Sequence, residues 1–126
     1  MELKLFIEAE IELGEVQELG ARRIVRVTGG RFWSNDLSGI ILEGGGDWQH
    51  IRQDGVVEID TRYTLQTDDG ALIYLTNEGL RDGTYMRTYS RFESADSRYA
   101  WVNNRLFVAD GQKVDGVVRH SFFLVE

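Results

Sequence analysis

At 126 residues, with 42% hydrophobic and 28% charged side chains, the chain has the composition of one globular domain, residues 1–126, and not of a disordered segment. Its 21 acids against 14 bases give a net charge of −7, which argues against a nucleic-acid partner, because such a partner needs a basic face to displace counterions. The lack of cysteine excludes disulfides, thiolate metal sites and cysteine nucleophiles. No apolar run reaches the ~20 residues of a membrane helix and the acidic start is unlike a signal peptide, so no membrane contact and a cytoplasmic location are expected.

In chain order, the first predicted element is the clearest. Over Glu2–Leu13, the residues Leu3, Leu5, Ile7, Ala9, Ile11 and Leu13 share one face, and Glu2, Lys4, Glu8, Glu10 and Glu12 share the other. Phe6 alone breaks the order. Alternation of this length predicts a half-buried strand. After a loop around Gly14–Gly20, Arg22–Thr28 repeats the pattern and Gly29-Gly30 punctuates it. Further strands are predicted over Arg31–Ser34, Leu37–Leu42, Val56–Thr67, Ala71–Thr76, Tyr85–Glu93, Tyr99–Ala109 and Val117–Val125. Asp54-Gly55, Asp69-Gly70, Asp82-Gly83, Asp110-Gly111 and Asp115-Gly116 read as hairpin joints, where φ turns positive. No window carries a helical stripe. Many short strands with Asp-Gly turns predict an all-β fold, and closure into an antiparallel β-barrel removes the edges a long first strand would expose. The bases are arginine except Lys4 and Lys113, which suits ion pairs on strand surfaces.

The stretch E-G-G-G-D-W-Q-H, Glu43–His50, concentrates backbone freedom beside an acid and a large aromatic. A phosphate cradle would need a following helix and a cation, and Asp47 would repel phosphate. A metal site would have to draw on Asp47, His50, Asp54 and a distant His120, but no third close ligand is evident, and no metal or cofactor is expected. Two readings remain. In one, Trp48 plugs one end of the barrel. In the other, the glycines form a pocket rim, Trp48 is its wall, and Asp47 is desolvated enough to move protons.

Along Val56–Thr67, Val57, Ile59, Thr61, Tyr63 and Leu65 oppose Glu58, Asp60, Arg62, Thr64 and Gln66. Either the apolar face is core and Asp60 and Arg62 form a surface pair, or the polar face lines a lumen and the apolar face meets another subunit. Tyr85, Arg87, Tyr89 and Arg91 share one face of a later strand, as a pocket lining or a solvated stripe. Trp101 reads as a core residue beside a turn.

The segments L-S-G, G-G-G-D-W, I-D-T-R-Y-T-L-Q-T-D-D-G-A-L-I-Y, R-F-E-S and Y-A-W-V-N-N-R-L-F-V resemble the family catalogued as domain of unknown function 3237, in order from about Arg22 onward. The resemblance implies a compact antiparallel barrel of the calycin or allene-oxide-cyclase kind that self-associates into a homo-oligomer, with no settled activity. The chain departs from the family in lacking proline. The inventory of carboxylates, arginines and aromatics points to a small organic ligand, aromatic or polyketide-like. As an enzyme it would perform cofactor-independent proton transfer, as an isomerase, cyclase, hydratase or lyase. Asp47 and Asp60 are the acid/base candidates, Arg62 the anion clamp, and Trp48, Tyr74, Tyr89, Arg91 and Trp101 the walls. The rival is a non-catalytic module that binds a ligand or assembles as an oligomer.

Overall fold

The alternating segments become nine antiparallel strands in a computed structural model that describes residues 1–126. They are β1 (Leu3–Leu19), β2 (Arg22–Trp33), β3 (Ser38–Ile41), β4 (Gly45–Ile51), β5 (Val57–Thr67), β6 (Leu72–Asp82), β7 (Tyr85–Glu93), β8 (Phe107–Val114) and β9 (Val117–Val125). A short 3-10 helix, Ala100–Asn104, joins β7 to β8. Each strand pairs with its neighbour, β1 pairs with both β2 and β9, and β3 and β4 lie end to end between β2 and β5. The sheet therefore closes on itself as the expected β-barrel, and closure leaves no long edge to recruit another strand. No helix is long and apolar enough to cross a membrane.

Four of the five Asp-Gly joints are turns, with Gly55, Gly70, Gly83 and Gly116 at positive φ. The fifth, Asp110-Gly111, is absorbed into β8, where Gly111 pairs with His120. A Cβ on Gly111 would fall 2.8 Å from His120 Cε1, so glycine here makes room for the imidazole. Three further expectations are corrected. The loop predicted at Gly14–Gly20 belongs to β1, which continues to Leu19 through register shifts near Leu13. The strand predicted over Tyr99–Ala109 splits into the 3-10 helix and β8. The glycine-rich stretch is strand β4, and its Gly45 permits close approach to β5: a Cβ would fall 2.6 Å from Tyr63 Cβ and closer still to the Arg62 carbonyl oxygen.

Phe6 explains itself in three dimensions. A β-bulge between Leu5 and Ile7 resets the alternation of β1. Leu3 and Leu5 turn outward, 58% and 50% exposed, while Phe6 turns toward the core. Its ring lies 5.3 Å from Phe92 and 5.1 Å from Phe107, and Phe92 lies 4.7 Å from Phe107 and 5.5 Å from Phe122. These rings, with Phe32, Leu65, Ile73 and Leu75, fill one half of the barrel, and Val102 of the 3-10 helix is buried against them. The other half, toward the turns after β4, β6 and β8, is filled differently.

Candidate functional site

Inner-face parity on β5 selects Val57, Ile59, Thr61, Tyr63 and Leu65, so the apolar face is core and the first of the two readings of this strand holds. Thr61 and Tyr63 nevertheless carry hydroxyls inward. Register then places Asp47 of β4 opposite Thr61, Thr61 opposite Asn77 of β6, and Asn77 opposite Ser90 of β7. A polar row thus crosses the interior over four adjacent strands, and Thr88 and His120 extend it. Asn77 is 0% exposed. Its Oδ1 accepts from Ser90 Oγ at 2.7 Å, but its Nδ2, Thr88 Oγ1 and the Tyr63 hydroxyl have no hydrogen-bond partner. An unpaired buried polar atom costs about 1–3 kcal/mol, so three in one row are more than packing alone would leave there.

Asp47 is anchored at the end of this row. Gln49 Nε2 donates to its Oδ2 at 2.6 Å, and the Asp60 backbone N–H donates to its Oδ1 at 3.2 Å. The β4–β5 ladder skips Trp48 and Gln49 between the Asp47–Thr61 and His50–Glu58 pairs, so the carboxylate takes an N–H in the place of a ladder carbonyl. Gln49 is oriented in turn by Arg23, whose Nε and Nη2 donate to its Oε1 at 2.8 and 2.6 Å. Burial raises the Asp47 carboxyl above its ordinary value, and the bonds from Gln49, Thr61 and Asp60 oppose that rise. Burial likewise pushes the Tyr63 hydroxyl up. His120 is buried and lowered to about 4 for the same reason. Its Nδ1 lies 3.0 Å from the Asp110 carbonyl oxygen, which can only accept, so the neutral ring carries its proton on Nδ1 and Nε2 remains an acceptor.

Asp47, Gln49, Thr61, Tyr63, Met86 and His120 line one hollow, and Leu13, Arg81, Lys113 and Val118, none of them fully buried, mark its mouth. The free space within it is about 40 Å³. A water needs about 10–15 Å³ by the same measure, so the hollow admits one small end group and no ring.

The other candidates lie elsewhere. Asp60 and Arg62 share the outer face of β5, with Arg62 Nη2 3.3 Å from Asp60 Oδ2, and reach the hollow only through the Asp60 main chain. Trp48 plugs no end of the barrel: it stands on the outer wall, 37% exposed, beneath the Arg62 guanidinium at 5.4 Å. Tyr74, Tyr89 and Arg91 are also exposed on that side, and the Tyr89 hydroxyl donates to Glu78. Trp101, expected in the core, is 44% exposed at the opposite end, edge-on to Phe6 at 5.4 Å. Trp101 and Trp48 therefore do not face one another. His50 points outward to Glu58 at 3.0 Å, because residues 47 and 50 have opposite strand parity, and it cannot join Asp47. A wider concavity, about 680 Å³, lies on the outside among Glu8, Trp33, Arg87, Asp110 and Arg119 and is mostly polar.

Sequence reasoning missed Gln49, Thr61, Tyr63, Asn77, Thr88 and Ser90, and considered His120 only as a distant metal ligand. For those on β5 and β7 a signal was present. Thr61 and Tyr63 fall at core parity, as do Thr88 and Ser90 between Met86 and Phe92. Polar residues at apolar positions are where a pattern of half-buried strands marks a site.

The family described as "Protein of unknown function (DUF3237)" matches residues 1–85 and 81–125, and the chain belongs to it. A UPF0311 protein of Clostridium acetobutylicum is 28% identical over 98% of this chain and 89% of its own. One from Rhodopseudomonas palustris is 30% identical over 90% of this chain and 89% of its own. Among solved structures, a β-barrel-like protein of Acinetobacter baumannii superposes with a TM-score of 0.95 at 32% identity, covering 99% of this chain and 96% of that one. An enzyme from Penicillium herquei superposes with a TM-score of 0.83 at 21% identity, over 99% of this chain and 94% of that one, a likeness of fold alone.

Proposed function

We propose that this chain binds a small organic molecule at the polar end of its barrel and transfers a proton on it without a cofactor, acting as an isomerase, cyclase, hydratase or lyase on an aromatic or polyketide-like substrate. One arrangement carries this reading: a desolvated carboxylate, Asp47, shares its hollow with the buried, unpartnered hydroxyl of Tyr63. A carboxyl raised above its ordinary value by burial is better suited to both halves of a proton transfer. In the step, Asp47 takes a proton from a carbon next to a carbonyl. The C–H electron pair moves into the carbonyl to give an enolate, whose oxygen is stabilised by the Tyr63 hydroxyl, and return of the proton at another atom completes the rearrangement. Asp60 and Arg62, which face outward, are not needed for this chemistry. The fungal enzyme of the same fold is consistent with catalysis on this scaffold, and its likeness reaches no further than the scaffold.

Hydrogen–deuterium exchange tests the reading without knowledge of the product. Small enolisable ketones and phenols incubated with the protein in heavy water should gain deuterium at carbon. Asp47→Asn should slow that exchange on the order of 10²–10⁴-fold, the usual worth of a general base, while Asp60→Asn should leave it within a few-fold. Equal exchange by wild type and Asp47→Asn removes the proposal.

The non-catalytic reading has one observation in its favour. Trp48, Tyr74, Tyr89 and Leu80 are exposed together on the outer wall of β4–β7, a face suited to contact between copies. Sedimentation of the wild type against Trp48→Ala would expose such an assembly as a loss of mass in the variant.

A further inference from the structure

The mouth of the hollow differs in charge from the rest of the molecule. Eight ion pairs hold many of the acids and arginines, among them Arg26 with Glu43, Arg52 with Asp54, Arg98 with Asp96 and Asp69, and Arg31 and Arg119 with Glu10. Arg81 and Lys113 belong to none of them. Both line the hollow, and Asp47 is the one acid that shares it with them. With His120 neutral, the lining carries one net positive charge when Asp47 is ionised and two when it is protonated, in a chain whose total is −7. Arg81 is on β6 opposite Met86 of β7, and Lys113 is on β8 two residues beyond Gly111, which the β7–β8 register sets beside Met86. Two strand spacings and two residues along the strand separate them by about 12 Å, a gap that two long flexible side chains can close around one anion.

Resting on the reading above, we infer that the ligand is a small oxygenated carboxylic acid, bound with its carboxylate between Arg81 and Lys113 at the mouth and its hydroxyl or carbonyl end inside against Tyr63, Thr61 and Asp47. Two observations fix this orientation. The inner space of about 40 Å³ holds only an end group, so the body of the ligand stands in the mouth, against Leu13 and Val118. A carboxylate placed deep would meet Asp47, whereas at the mouth it meets two cations without competing partners. The fold's one short helix contributes nothing to the lining, so no helix N-terminus adds a phosphate preference to the two cations.

The test uses matched pairs on the full-length chain: para-hydroxybenzoate against para-hydroxybenzamide, and levulinate against levulinamide, with affinities from calorimetry or ligand-observed NMR. Each acid should bind about tenfold or more tightly than its amide, the worth of one charge-assisted contact. The preference should shrink with added salt and vanish in the Arg81→Gln/Lys113→Gln double variant, whose circular dichroism should match wild type. In Asp47→Asn the preference should persist. Acid and amide binding equally would overturn the inference and leave the proton-transfer reading standing. Inorganic phosphate competing as well as the acids would also overturn it, and binding of neither acid nor amide by the wild type would defeat both.

Discussion

His120→Gln should remove about 2 kcal/mol of the stability that this fold loses between pH 7 and pH 5. The imidazole is held at about 4 by burial, against about 6.5 for a histidine in an unfolded chain. Between those values the unfolded chain binds a proton that the folded chain refuses, so this contribution is fully present above pH 6.5 and is lost as pH falls toward 4. For a single site with these two constants, the loss between pH 7 and pH 5 is about 2 kcal/mol. Asp47, on the same hollow, works in the opposite sense, because a carboxyl raised by burial favours the fold when protonated. The diagnostic quantity is therefore the difference between wild type and variant. Urea unfolding followed by tryptophan fluorescence at the two pH values gives it directly. The wild type should lose about 2 kcal/mol more than His120→Gln on acidification. Equal losses in the two proteins would mean that the imidazole is solvated or already charged in the folded state, and the burial argument would fail.

Arg23→Ala should free Gln49 to turn its amide away from Asp47, raising the Asp47 carboxyl further; a carboxyl-carbon NMR titration with an unchanged midpoint would refute the relay. Thr88→Val removes a buried hydroxyl that has no partner, and should stabilise the fold by about 1 kcal/mol in urea; destabilisation would mean that the hydroxyl is satisfied. Gly45→Ala forces a methyl onto the β5 backbone, and should lower stability by about 1–3 kcal/mol; a neutral result in the same unfolding assay would contradict the close approach of the two strands.

The site was legible in part. Asp47 was marked by its place among glycines beside a tryptophan, and it does face the interior. Asp60, Arg62 and Trp48 were marked by the same residue chemistry, yet strand parity sends them to the outer wall. Asn77 and His120 gave no local sign of their role, since one polar residue in a strand has no partner in view until register supplies it. Phe6 was visible only as a flaw in the pattern, and a bulge turned that flaw into a contact with the aromatic core.

Period-two alternation and Asp-Gly punctuation are local properties, and from them the chain alone determined that it is all-β, antiparallel, and turned at Gly55, Gly70, Gly83 and Gly116. Which face of each strand lies inside, and which residues stand side by side there, are not local. Asp47 meets Thr61, Thr61 meets Asn77 and Asn77 meets Ser90 only through ladders joining residues 13 to 16 positions apart, with Asn77 and Ser90 at the shorter separation. A slip of one residue in any ladder would turn a member of that row out to solvent, so tertiary pairing and not composition decided where a buried carboxylate finds its neighbours.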